Sequence, residues 1–98
     1  MIIQEIKNLL VKATHPVARV IYIKEHFRVL AIGFNSKMIL SEHRTPYDSK
    51  LVVIEGKVIY KEGDKEIQLN KYDEYLIPQN LVHSVTAIED SLCFLIQS

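Results

Sequence analysis

The sequence has one cysteine, Cys93, so no disulfide can close within the chain. That fits a reducing compartment and argues against a disulfide-stapled secreted scaffold. No sign of charge dominates: twelve Lys and Arg face twelve Asp and Glu, for a net charge of +0. A basic footprint for nucleic acid or for an anionic membrane surface is missing. No apolar run approaches the roughly 18 residues that a bilayer-spanning helix needs. Glu5 and Lys7 interrupt the apolar residues near the start, and no small-residue cleavage site follows, so no signal peptide is expected. There is no glycine-rich phosphate loop, and no Ser-His-Asp or Cys-His spacing that marks a nucleophile. The expectation is a cytoplasmic protein with no nucleic-acid or membrane partner.

What is present is enough for one packed domain. The chain has 98 residues, of which 48% are hydrophobic. A domain this short buries roughly 60–70% of the surface its unfolded chain exposes, which leaves stability modest unless copies associate. No internal repeat, linker or low-complexity segment divides it.

Residues 2–13 predict a helix, with Ile2, Ile3, Ile6, Leu9, Leu10 and Ala13 at helical spacing and Gln4, Glu5, Lys7 and Asn8 on the other face. Pro16 is expected to end it. Its apolar stripe must pack on the main fold or cross to a partner subunit. After Pro16 the pattern becomes short β-rich runs with polar punctuation: 17–23, 27–34, 38–41, 51–54, 57–61, 66–69, 74–77, 83–87 and 91–97. Strands at this spacing, with no helical pattern between them, predict an all-β sandwich or barrel over residues 17–97. Gly56 and Gly63 sit at two of the turns, where positive φ costs glycine nothing.

The segment from His43 to His83 resembles the cupins, small double-stranded β-helix or jelly-roll barrels of the RmlC-like type. Their first motif has a His-x-His pair, a Glu four residues later and a Gly seven residues after that. Their second has Gly-Asp, a strand ending in Pro, a Gly, and a His three residues on. Anchoring on Gly56 puts His43 at the first His, Thr45 at the second and Ser49 at the Glu. In the second motif Asp73, Pro78 and His83 match, Tyr72 replaces the first Gly, and Asn80 stands at the second. Asparagine tolerates the left-handed region; tyrosine there implies a different turn or stored strain. The resemblance implies an all-β cupin barrel preceded by a short N-terminal α-helix, in a single domain spanning 1–98.

Cupin metal sites typically use three imidazoles and one carboxylate. Here two of those positions hold Thr45 and Ser49, which are poor ligands for a borderline divalent ion. His43 and His83 form the candidate metal pair, expected to hold a divalent transition metal weakly if at all. Residues 43, 45 and 49 share strand parity, so all three are expected to face the interior, while parity turns Asp48 away. The candidate ligand-binding set is His43, Thr45, Tyr47, Ser49 and His83. Tyr47, Tyr60 and Tyr75 could line a pocket or serve as half-buried packing residues. Arg44 could hold a carboxylate or lie in solvent. His15 and His26 are expected in surface loops, and Cys93 as a buried small hydrophobe.

Three functions stay open. One is a cupin that binds a small molecule in the barrel without a tightly held metal. A second is a divalent-metal-dependent enzyme of dioxygenase or isomerase type with an incomplete ligand set. The third is a structural dimer with no ligand. A homodimer is expected under each, because a short jelly roll leaves edge strands and an apolar helix face to cover.

Overall fold

The computed structural model describes the backbone of the whole chain and every side chain except those of Glu42 and His43. It opens with α1 (Ile2–Leu10), followed by β1 (Val17–Lys24), β2 (Phe27–Phe34), β3 (Ile39–His43), β4 (Ser49–Glu55), β5 (Lys57–Glu62), β6 (Lys65–Asn70), β7 (Glu74–Ile77), β8 (His83–Ala87) and β9 (Ser91–Gln97). The strands form two sheets, one in the order β1-β2-β9-β4-β7 and one in the order β3-β8-β5-β6. Every pairing is antiparallel. This is the expected all-β double-stranded β-helix behind an N-terminal helix. No helix among the described residues is long and apolar enough to cross a membrane.

Strand alternation sends one face of each sheet inward, and the registers stack those inward residues in rows. In the first sheet Ile32, Cys93 and Val53 make one row, and Leu30, Leu95, Leu51 and Tyr75 make the next. In the second sheet Ala87, Val58 and Leu69 match the first row, and Leu40, Val85, Tyr60 and Ile67 the next. These residues form one core, with Val53, Val58, Tyr60 and Cys93 fully buried. Burying each large aliphatic side chain contributes about 1.5–3 kcal/mol. The third row is polar and forms the candidate site below.

The helix packs on the outside of the five-stranded sheet. Ile6 and Leu10 pack with Val17, Ala31 and Leu92 in a second cluster. It is shorter than the periodicity predicts. Regular turns stop at Leu10, and the chain tightens into three-residue bonds from Val11 to the Asn8 carbonyl (3.4 Å), Lys12 to Leu9 (3.4 Å) and Ala13 to Leu10 (3.3 Å). Asn35 Nδ2 also donates to the Leu10 carbonyl at 2.7 Å, so tertiary contact sets the end well before Pro16. Two strand bounds shift by two residues, several others by one. β3 runs on to His43 through a bulge between Leu40 and His43, and β4 begins at Ser49 rather than Leu51. Ladder pairing, which apolar patterning does not register, extends both.

Both departures from the glycine motif adopt positive φ: Tyr72 at 76° and Asn80 at 57°. Asn80 does so at little cost. Tyr72 is held there by donating its N–H to the Val53 carbonyl at 2.7 Å, and its ring stays in solvent. Gly56, at φ 85°, has a stricter reason. A Cβ there would run into Ser91 Oγ and the Asp90 carbonyl, with Ser91 Cα at 2.8 Å. Gly63, at φ 55°, has open space around it. Gly56→Ala should lower unfolding free energy by about 2–4 kcal/mol, from overpacking plus backbone strain. Gly63→Ala should cost only about 1–2 kcal/mol, from strain alone. Urea denaturation of the two variants checks the difference, and equal losses would contradict this account.

Candidate functional site

The polar row lies one step beyond the apolar rows. In the first sheet it runs Arg28, Gln97, Ser49 and ends on the apolar Ile77; in the second it runs His83, Glu62, Lys65, with the His43 backbone paired to His83. Gln97, Ser49 and His83 are buried, so each needs a partner inside the protein.

On the first sheet the partners form a closed loop. Arg28 Nε donates to Gln97 Oε1 at 2.7 Å. A guanidinium only donates, which fixes the Gln97 amide with its oxygen toward Arg28. Gln97 Nε2 then donates to Ser49 Oγ at 3.3 Å, and Ser49 donates to the Tyr47 carbonyl at 3.4 Å. Tyr47 closes the loop with its ring, 5.3 Å from the Arg28 guanidinium carbon. Thr45 shapes the same segment: its hydroxyl accepts from the Tyr47 N–H at 3.3 Å, and its carbonyl accepts from the Asn80 N–H at 2.8 Å. Reciprocal backbone bonds between Asp48 and Ser98, at 3.1 and 3.0 Å, seat this segment beside β9.

On the second sheet the cluster centres on Glu62. Its carboxylate accepts from the Tyr75 hydroxyl at 2.5 Å and the Tyr60 hydroxyl at 3.2 Å. The Glu62 side chain is 9% exposed, with Lys65 Nζ 3.9 Å away. The Tyr60 and Tyr75 ring centroids are 4.5 Å apart, and His83 stacks on Tyr60 at 5.7 Å. His83 Nδ1 donates to the Leu81 carbonyl at 3.0 Å. A carbonyl only accepts, so Nδ1 carries a proton. Burial, then the Glu62 charge, pushes the Tyr60 hydroxyl well above its ordinary value. In the core beneath, burial pushes the Cys93 thiol up to about 12.

The expected site residues divide between these clusters. Thr45, Tyr47 and Ser49 belong with Arg28 and Gln97, while His83 belongs with Tyr60, Glu62 and Tyr75. Thr45 and Ser49 are buried, but Tyr47 is 45% exposed. Residues 44–48 lie outside the strands, so strand parity does not govern them. Asp48, His15 and His26 are exposed, and Cys93 is buried. The candidate metal pair falls partly on His43, whose side chain lies outside the described residues; the backbone register pairs His43 with His83. Among the described residues, no group of three His, Cys, Asp or Glu side chains converges as a metal site. Glu62, Arg28 and Gln97 were not among the expected residues. Glu62 reads as the first residue of a turn, and nothing but register reveals that it faces inward.

Two checks follow from these surroundings. Glu62→Ala leaves the buried Tyr60 hydroxyl without its acceptor and should lower stability by about 1–3 kcal/mol in urea denaturation. Cys93 and Tyr60 are neutral when protonated, and folding raises both. Their contribution is complete below the unfolded values, near 9 and 10, and is lost as pH rises from there toward the folded values. The melting temperature should hold to about pH 9 and fall above it, with Cys93→Ala delaying the fall to near pH 10. A melting temperature unchanged up to pH 11 would contradict the assignment.

Comparison with known proteins bears on the fold. No family model matches the sequence, and no curated protein does. Solved structures match well. An RmlC-like cupin from Desulfovibrio desulfuricans is 21% identical over 91% of this chain and 92% of its own, with a TM-score of 0.79. A cupin superfamily protein from Desulfitobacterium hafniense is 14% identical over 88% and 79%, with a TM-score of 0.81. A protein with a double-stranded β-helix domain from Klebsiella pneumoniae is 16% identical over 89% and 79%, with a TM-score of 0.80. With the two-sheet topology and the inward rows, these matches make the chain a small domain of cupin fold.

Proposed function

We propose that this domain binds a small organic molecule in an open cleft between its sheets, without a tightly held metal. The observation that carries the reading is the cleft itself, about 570 Å³, formed where β1, β2 and β9 face the edge strand β3. Leu30, Ile32, Leu40 and Leu95 give it an apolar lining, while Arg28, Arg44, Ser41, Thr45 and Gln97 supply polar groups. That volume and that mixture of an apolar wall with a few converging polar groups suit a small ligand. His83 does not line this cleft. Zinc held weakly at His43 and His83 is the second reading, supported by their paired register.

Amide NMR spectra recorded while small organic acids, alcohols and amines are added in turn test the first reading. Shifts should gather at Leu30, Leu40, Thr45 and Leu95. Shifts that appear only on adding zinc, centred on His83, would replace it with the second.

Self-association is part of the proposal. β1 is an edge strand, and Val20, Tyr22 and Ile23 on it are 42, 52 and 67% exposed, beside Phe27 at 40%. A two-fold dimer would cover these side chains. Light scattering at micromolar concentration should report a dimer, and Ile23→Asp should shift it toward monomer. A wild-type monomer at that concentration would count against the dimer.

A further inference from the structure

Arg28 is held from two directions before any ligand arrives. Its Nε is committed to Gln97 Oε1 at 2.7 Å, and its guanidinium stacks on the Tyr47 ring at 5.3 Å. Gln97 is 5% exposed and is itself fixed by Ser49, so a buried amide sets the position of a partly buried cation. An arginine that merely points into solvent needs no such support. Its terminal nitrogens, Nη1 and Nη2, meet no acceptor among the described residues, although a guanidinium carries four N–H bonds there. The charges around the cleft agree. Arg28 and Arg44 line it, no described carboxylate does, and neither arginine forms an ion pair among the described residues. A second cleft of about 340 Å³ also touches Arg28, but Glu25 lines that one and would repel an anion.

We infer that the ligand of the cleft between β2 and β3 is an amphipathic carboxylate, with its carboxylate on Nη1 and Nη2 of Arg28, Arg44 alongside, and its apolar body over Leu30, Leu40 and Leu95. The inference rests on the binding reading above. A planar fork matches the two oxygens of a carboxylate, and the apolar wall selects a hydrocarbon body over a bare inorganic anion. Gln97 is a positioning residue, acting through Arg28.

Hexanoate, hexan-1-ol, hexylamine and inorganic phosphate separate the possibilities by NMR titration of the whole chain. Hexanoate should bind about 10-fold or more tightly than hexanol, and hexylamine and phosphate more weakly still. Arg28→Met keeps the aliphatic stem and should abolish that preference while hexanol binding stays. Arg28→Lys should recover little of it, because an ammonium lacks the fork. Gln97→Met, with the amide spectrum otherwise preserved, should weaken hexanoate and leave hexanol unchanged. Equal binding of hexanoate and hexanol to the wild type needs no variant and would overturn the carboxylate assignment while leaving the cleft as a binding site. The same holds if hexanoate binding survives Arg28→Met unchanged. If neither compound shifts a residue of the cleft, both the assignment and the binding reading fall.

Discussion

The register of β9 is the constraint on which the rest depends. β9 is hydrogen-bonded to β2 on one side and β4 on the other, and its residues alternate between the two faces of the sheet. Cys93, Leu95 and Gln97 point inward, one in each row. Leu92 and Phe94 point outward, into the cluster under the helix. A slip of one residue would exchange these sets, burying Phe94 in the barrel and sending Gln97 out. With both faces of the sheet covered by apolar groups, one register is strongly preferred. The same register carries Gln97 between Arg28 and Ser49, so packing in the core positions the polar cluster.

The polar row shows how a small domain tolerates buried polar groups. A buried hydrogen-bonding group without a partner costs about 1–3 kcal/mol, a large share of the stability of a small domain. Here the buried groups are satisfied by one another. Gln97 accepts from Arg28 and donates to Ser49; Glu62 accepts from two phenols; Ser91 Oγ accepts from the Lys57 N–H at 3.1 Å and lies 2.7 Å from the Glu89 carbonyl. No buried side-chain nitrogen or oxygen among the described residues lacks a partner. The arrangement also restricts motion. Arg28 Nε and His83 Nδ1 are each committed within the protein, which restricts how each side chain turns.

The turns carry the remaining constraint. Gly56 lets the chain pass against Asp90 and Ser91, where a side chain would collide with backbone. Tyr72 and Asn80 reach the same left-handed region without glycine, Tyr72 with some strain and a backbone hydrogen bond to the neighbouring strand. These turns set where β5, β7 and β8 begin, and so which of their residues enter the polar row.

Much of the architecture was legible in the residues themselves. Alternating β-branched strands and the turn residues between them determined an all-β sandwich or barrel behind a helix, because backbone periodicity and turn chemistry are local properties; the jelly-roll form came from the resemblance of the segment from His43 to His83 to the cupins. The inward facing of Ile67 and Leu69, the burial of Cys93 and the left-handed Asn80 follow from the same local rules. Other features depended on contacts distant in sequence. The helix ends at Leu10 because Asn35, brought close by folding, takes its carbonyl. Tyr47 lies against Arg28 because residues 44–48 leave the strand and Ser98 draws them to β9. Glu62 looks like a turn residue and becomes a buried acceptor only when β5 and β7 bring Tyr60 and Tyr75 to it. Local sequence determined which elements form; only the tertiary structure decided which side chains meet, because those meetings depend on registers summed across several strands.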